Sequence, residues 1–251
     1  MVELSELVKG LDETEFLYWN DPYLRKFGAE VIKYKRGKTR DVYVVLNRTI
    51  FHPKSGGQPS DRGFIYNSSF KTTIKKTMSL RGIIVHWGKI LTGEFRDASI
   101  EGEIDWEWRY LLMKRHTAGH LYDHCLTQVT GKKVETTDSW LGDRCYVGYK
   151  GKQPSMNELR KAEVIENQMI ADGAPVKSEI ISHEELLKRA PEAPNIYRLP
   201  TLESYRTVTI EECDPIPCGG THLRDVREIR FFKVNKVMET DQGFRVYYDV
   251  E

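Results

Sequence analysis

Two short segments, about a hundred residues apart, each carry two metal-ligand side chains four positions apart. The first is His116-Thr117-Ala118-Gly119-His120 and the second is Cys218-Gly219-Gly220-Thr221-His222. If both pairs serve one ion, the chain must fold so that they meet. The run from Trp106 to Gln128 contains no proline and reads as a helix. Residues i and i+4 of a helix lie on one face, about 40° apart around the axis, so two imidazoles so spaced can hold one ion. Gly219-Gly220 disfavours helix in the second segment, which reads as a tight turn bringing a thiolate and an imidazole to one point. His, His, Cys and His together suit zinc. His120 and His124 are also four apart, and His124 lies about 80° around from His116. Three histidines in register also describe a polar helix face. The compact second segment favours the metal reading, with His116 and His120 as the helical pair.

Composition sets the class. With 39% apolar and 30% charged residues in 251, the chain has the profile of a water-soluble globular protein of one large or two modest domains. No apolar run approaches the ~20 residues of a membrane span. The start at Met1–Glu6 is acidic and unlike a signal peptide, so a cytoplasmic protein is expected. Four cysteines are sparse for a disulfide scaffold. Cys213 and Cys218 are close enough in sequence to pair, but the histidine beside Cys218 favours a thiolate ligand. The net charge of +1 does not announce a nucleic-acid binder. Basic residues nevertheless cluster at Lys33 to Arg40, Lys71 to Lys76, Lys114-Arg115 and Lys132-Lys133. Each cluster reads either as a phosphate-binding patch or as solvated strand ends.

The first hundred residues alternate like short strands, at Glu30 to Lys35, Asp41 to Leu46, Gly63 to Tyr66, Lys71 to Met78, Gly82 to Trp87 and Ser99 to Ile104. Many short strands without helices predict a small β-barrel or a strongly bent sheet over residues 1–104. Inside it, the loop Phe51 to Gly63 carries Gly56-Gly57-Gln58. Such a loop can bring main chain close to a ligand, or it is an ordinary wide hairpin loop. From Asp105, a plausible N-cap, the pattern changes to an α+β domain over 105–251. It is predicted to contain the ligand-bearing helix, a strand near Lys133 to Glu135 and a Thr136-Thr137-Asp138-Ser139 turn. A strand at Arg144 to Tyr149 and a helix from Met156 to Ala171 with a Ser155/Glu158 capping box follow. Next come a strand at Val176 to Ile181 and a short helix capped by Ser182. Strands at Ile196 to Leu199, Arg206 to Ile210, Glu228 to Val237 and Phe244 to Val250 complete it.

The order His-Thr-Ala-Gly-His, then Cys-Gly-Gly-Thr-His, resembles the editing domain of alanyl-tRNA synthetase and its free-standing relatives, the AlaX proteins. Leu46 to Gly63, with its Gly-Gly-Gln and Asp61, and the opening Leu17-Tyr18-Trp19-Asn20-Asp21-Pro22-Tyr23-Leu24 are similar to the same family. The resemblance runs from about Thr14 onward and matches the intermediate, two-domain AlaX type. It implies an N-terminal β-barrel and an α+β editing domain with an antiparallel sheet. It also implies one Zn2+ on His116, His120, Cys218 and His222, and hydrolysis of tRNA(Ala) mischarged with serine or glycine. Thr136 or Thr137 matches the family's small polar pocket residue, and Gly56, Gly57 and Gln58 form a loop near the editing site or the tRNA. The synthetase pattern places a further histidine where this chain has Asp123, so neither Asp123 nor His124 receives a role. A monomer or a homodimer is equally compatible.

An aminoacyl ester is activated, so its hydrolysis needs positioning and charge stabilisation more than a strong nucleophile. The sequence shows no clear general base. Two rival readings stand: a zinc hydrolase of another ester or amide, and a non-catalytic tRNA-binding protein with structural zinc. Thr117 in place of the glutamate of a His-Glu-x-x-His site argues against a metalloprotease.

Overall fold

The computed structural model describes residues 3–95 and 99–251; Met1 and Val2 of the acidic start lie outside them. It divides into two compact units, Met1–Ser55 with Pro59–Tyr110, and Gly56–Gln58 with Leu111–Glu251. Among the described residues no helix is long and apolar enough to cross a membrane.

The first unit opens with helix α1 (Leu4–Val8), strand β1 (Glu15–Phe16) and helix α2 (Leu17–Asn20). Strands β2 (Lys26–Arg36), β3 (Asp41–Leu46), β4 (Arg48–Thr49), β5 (Gly63–Tyr66), β6 (Phe70–Leu80), β7 (Ile83–Gly93) and β8 (Ser99–Ile104) follow. Six of them close into a barrel in the order β2-β3-β7-β6-β5-β8, every pair antiparallel. Alternation decides which side chains fill it. Val42, Val44, Leu46, Ile65, Ile74 and Ile100 pack inside around Phe51 and Phe95. On the outside, α1 lays Leu7 and Val8 over Val45, Ile83 and Val85. Closure removes exposed strand edges.

Beneath the loop that follows β4, Arg109 is fully buried against Asp61. Its Nε donates to both carboxylate oxygens at 3.0 and 3.1 Å, Nη1 donates to the Pro22 carbonyl at 3.0 Å, and Nη2 donates to the Ile50 carbonyl. Asp61 also accepts from the His52 amide at 2.6 Å. Every charge here is matched, as a charge taken out of water requires.

Helix α3 (Trp106–Thr130) begins where expected: Asp105 Oδ1 accepts from the Trp108 amide at 3.2 Å. The division between the units falls within this helix, after Tyr110. In the second unit come β9 (Thr136–Trp140), β10 (Tyr146–Lys150), α4 (Met156–Asp172), β11 (Val176–Ser182), α5 (His183–Arg189), β12 (Ser204–Ile210), β13 (Ile216–Pro217), β14 (Phe232–Thr240) and β15 (Gly243–Val250). They form an antiparallel sheet β14-β15-β10-β9 and a smaller one β11-β12-β13. Arg115 ties α3 to the larger sheet, donating to the Leu141 and Gly142 carbonyls and pairing with Asp249.

The Ser155/Glu158 capping box is present in full, and Ser182 caps α5 through the Glu185 amide. Four local expectations fail. The segment Lys133 to Glu135 is not a strand, and Thr136 to Ser139, read as a turn for its Thr, Asp and Ser content, is strand β9, held by pairing with β10. Ile196–Arg198 is a 3-10 turn closed by the Asn195 and Ile196 carbonyls. The expected strand from Glu228 begins only at Phe232, after a second 3-10 turn at Val226–Ile229. Pairing with β10 overrode local propensity at β9, whereas the two 3-10 turns are closed by local hydrogen bonds.

On α4, Leu159, Ala162, Glu166 and Ile170 form the buried face. Glu166 therefore occupies a position that the helical period reserves for an apolar residue. Both its carboxyl oxygens are buried without a hydrogen-bond partner among the described residues, and burial pushes its pKa well above the usual carboxylate range. Because the folded chain holds this proton more tightly, the associated stability is complete below the unfolded pKa of ~4.3 and is lost as pH rises toward the native value. Glu166→Gln is expected to gain on wild type by up to about 1.4 kcal/mol per pH unit through that window. Urea unfolding at stepped pH measures it; a pH-independent difference would show that Glu166 is not the group responsible.

Candidate metal centre

Helix α3 presents His116 and His120 on one face, and the loop after β13 brings Cys218 and His222 against them. One donor atom from each of the four lies within 4.8 Å of every other. Cys218 Sγ stands 3.3 Å from Nε2 of both His116 and His222. The three imidazole centroids are 4.2 to 5.0 Å apart. His124, the alternative helical partner, is outside this cluster.

The rings are aimed from behind. His116 Nδ1 faces Gln58 Oε1 at 3.0 Å, and His222 Nδ1 faces Thr117 Oγ1 at 3.2 Å. If each Nδ1 carries the proton, both Nε2 lone pairs point at the thiol, the arrangement metal-ligating histidines adopt. Gln58 is fully buried; its Oε1 also accepts from the Thr221 amide and its Nε2 donates to Thr221 Oγ1. Thr117 Oγ1 also accepts from the Leu223 amide. Arg206 secures the turn by donating to the Cys218 and Gly220 carbonyls at 2.8 and 3.0 Å.

Two glycines are required by close approach. A Cβ on Gly220 would stand 2.6 Å from His116 Nδ1 and 2.7 Å from Gln58 Oε1. Gly57 has φ +84°, and a Cβ there would meet the Ser139 carbonyl oxygen at 2.6 Å. Its own carbonyl accepts from the Leu141 amide. The Gly-Gly-Gln loop thus lies along β9 and delivers Gln58 to the back of His116.

The donors fit a soft, tetrahedral-preferring cation. His120 Nδ1 is buried with no hydrogen-bond partner among the described residues, an orphan that a coordinated ion would satisfy. Burial and then the Arg206 charge lower the His120 pKa to about 4, so the ring is neutral and its lone pair available at pH 7. Burial raises the Cys218 thiol, opposed by the Gly220 amide and Arg206. The Gly220 N–H points at Sγ at 3.4 Å, as toward a thiolate.

A pocket opens beside His120, lined also by Asp123, His124, Thr127, Val208 and Ile216. Asp123 accepts from the Tyr149 hydroxyl at 2.7 Å, and burial raises its pKa to about 7. Thr136 and Thr137 do not line this pocket. Thr136 Oγ1 donates to the Pro194 carbonyl and accepts from Arg198, while Thr137 Oγ1 donates to Asp138.

Residues 2–108 match the family described as tRNA synthetases class II (A), and residues 205–247 match the Threonyl and Alanyl tRNA synthetase second additional domain. The chain is 35% identical to the alanyl-tRNA editing protein AlaX-L of Pyrococcus horikoshii, over 88% of this chain and 54% of that protein. It is 32% identical to AlaX-M of Methanosarcina acetivorans, over 94% of this chain and 98% of that protein. The chain belongs to the AlaX family of alanyl-tRNA editing proteins. It spans about half of the AlaX-L protein, nearly all of AlaX-M, and 26% of an alanine–tRNA ligase from Ignicoccus hospitalis, to which it is 30% identical.

In this AlaX chain Gln58, expected with Gly56 and Gly57 in a substrate-binding loop, stands behind His116, and Thr117 and Arg206, given no role from the sequence, support His222 and the Cys218 turn. Thr117 was in view inside the first motif. No spacing marks Arg206, whose contacts depend on the pairing of β12 with β13. Gln58→Ala is expected to weaken the affinity of the four-donor cluster for added Zn2+ about 10- to 100-fold, by freeing the His116 ring. Competition with a chromogenic chelator measures this; unchanged affinity would deny Gln58 an orienting role.

Proposed function

We propose that this chain is a trans-editing hydrolase that deacylates Ser-tRNA(Ala), and Gly-tRNA(Ala) as a second substrate, with one Zn2+ held by His116, His120, Cys218 and His222. The observation that carries this is the convergence of those four side chains in a chain of the AlaX family. Zinc, when bound, would supply positive charge to polarise the ester or a water, or would organise the pocket. The protein's own residues do the rest. Gln58 and Thr117 hold two imidazoles in one tautomer and orientation, and Arg206 holds the Cys-Gly-Gly turn. The protein would act in the cytoplasm, with its tRNA, as a monomer or homodimer.

Serine exceeds alanine by a hydroxyl, and a site that hydrogen-bonds that hydroxyl rejects the analogue lacking it. We assign this contact to Thr137, whose half-buried hydroxyl donates only to adjacent Asp138, rather than to Thr136, which is committed to Pro194 and Arg198. Thr137→Val is expected to cost about 1–3 kcal/mol of seryl selectivity over alanyl in kcat/KM. Equal selectivity in the variant would move the assignment elsewhere.

A second reading has one observation in its favour. Four protein donors close a tetrahedral zinc, as in structural sites. The deciding experiment is deacylation of Ser-, Gly- and Ala-tRNA(Ala) by zinc-loaded protein. Loss of serine with alanine spared supports the hydrolase; no turnover by folded, zinc-loaded protein leaves a tRNA-binding protein with structural zinc.

A further inference from the structure

We propose that the outer face of the barrel around β3, β7 and β6 is a binding surface for the RNA backbone, made of lysines flanking two aromatic rings. Two basic clusters far apart in sequence, one on β2 and one on β6, are brought to the two ends of the four-strand run β2-β3-β7-β6. Register places Lys35 opposite Tyr43, Tyr43 opposite Trp87, and Trp87 opposite Lys76. This cross-strand row covers three interstrand steps, about 14 Å. Its members face outward, because the alternate residues Val42, Val44 and His86 are buried. Lys89, two residues along from Trp87, joins the same face.

Lys35, Lys76 and Lys89 are exposed, while Tyr43 and Trp87 are half-buried. Helix α1 covers one end, where Tyr43 touches the cluster of Leu7, Val8, Val45 and Val85. Beyond Tyr43, Trp87 belongs to none of the described core clusters. Asp41 is in register with Lys89, yet among the described residues no ion pair involves Lys35, Lys76 or Lys89. Uncompensated lysines on a protein of net charge +1 are a local concentration of positive potential. Lysines interleaved with aromatic rings suit a polyanion that also offers flat bases and sugars. The occupant is therefore RNA, and the proposed function, on which its identity rests, makes it tRNA(Ala).

The test is fluorescence anisotropy of labelled, uncharged tRNA(Ala) with the full chain over a salt series, beside deacylation kinetics on Ser-tRNA(Ala). The triple variant Lys35→Ala/Lys76→Ala/Lys89→Ala is expected to bind about tenfold or more weakly, with a log–log salt slope shallower by about 2–3. Its KM should rise in step with Kd while kcat at saturation stays at the wild-type value. Trp87→Ala should weaken binding about fivefold or more with the salt slope retained. The triple Lys→Arg variant, which keeps the charges, should bind like wild type. Wild-type Kd and slope in the triple alanine variant would overturn the interface even if wild type deacylates Ser-tRNA(Ala). Conversely, a wild type that binds tRNA through these lysines but never deacylates it sinks the hydrolase and leaves the interface standing.

Discussion

Cys218→Ala is expected to lose its metal and to lower deacylation of Ser-tRNA(Ala) by more than about a hundredfold, since it deletes a ligand where even ligand-orienting groups cost 10- to 100-fold. The thiol stands 3.3 Å from both His116 and His222 Nε2. Removing it leaves three imidazoles and no anionic donor in the cluster. Plasma mass spectrometry of zinc, read with single-turnover deacylation, reports both losses, and near-UV circular dichroism confirms that the fold persists. Full activity in a zinc-free variant would keep hydrolysis and remove the metal from it. Loss of zinc with partial activity would assign the ion an organising task.

The largest expected effect on stability lies in the first unit. Arg109→Met should destabilise it by about 3–5 kcal/mol, the usual consequence of stranding one member of a buried ion pair. Asp61 and Arg109 side chains are 1% and 0% exposed, so Asp61 would keep its charge out of water with its cation gone. The Pro22 and Ile50 carbonyls would lose their donors as well. Four of the five tryptophans, Trp19, Trp87, Trp106 and Trp108, belong to this unit, so urea unfolding followed by tryptophan emission reports chiefly on it. The double variant Arg109→Met/Asp61→Leu should recover much of the loss, because an apolar pair of similar size needs no compensation. A single variant as stable as wild type would show that the pair is dispensable.

Much of this architecture was legible because its signals are local. The proline-free run at α3, the capping box at Ser155 and Glu158, and the alternation of Asp41 to Leu46 each record a period or a cap in a few adjacent letters. The ligand pairs were legible for the same reason: residues four apart declare their own geometry on a helix or in a turn. Thr136 to Ser139 misled because its composition favours turns and its strand is held by a partner elsewhere in sequence. The task of Gln58 was invisible because it acts across a long sequence separation, 163 residues to Thr221, and that of Arg206 because its contacts depend on the pairing of β12 with β13. Glu166 contradicts the helical pattern outright.

The Gly56–Gln58 loop bears on how this centre can be inherited. Its three residues pack with the second unit although they are encoded amid the first. A recombination event or an engineered fusion joined at Asp105 would carry all four candidate ligands to a new host and leave behind the amide that orients one of them. The ligands travel as a cassette; their alignment does not. Any chain built from the later segment alone must supply a substitute for Gln58 behind His116 or hold its ion more loosely.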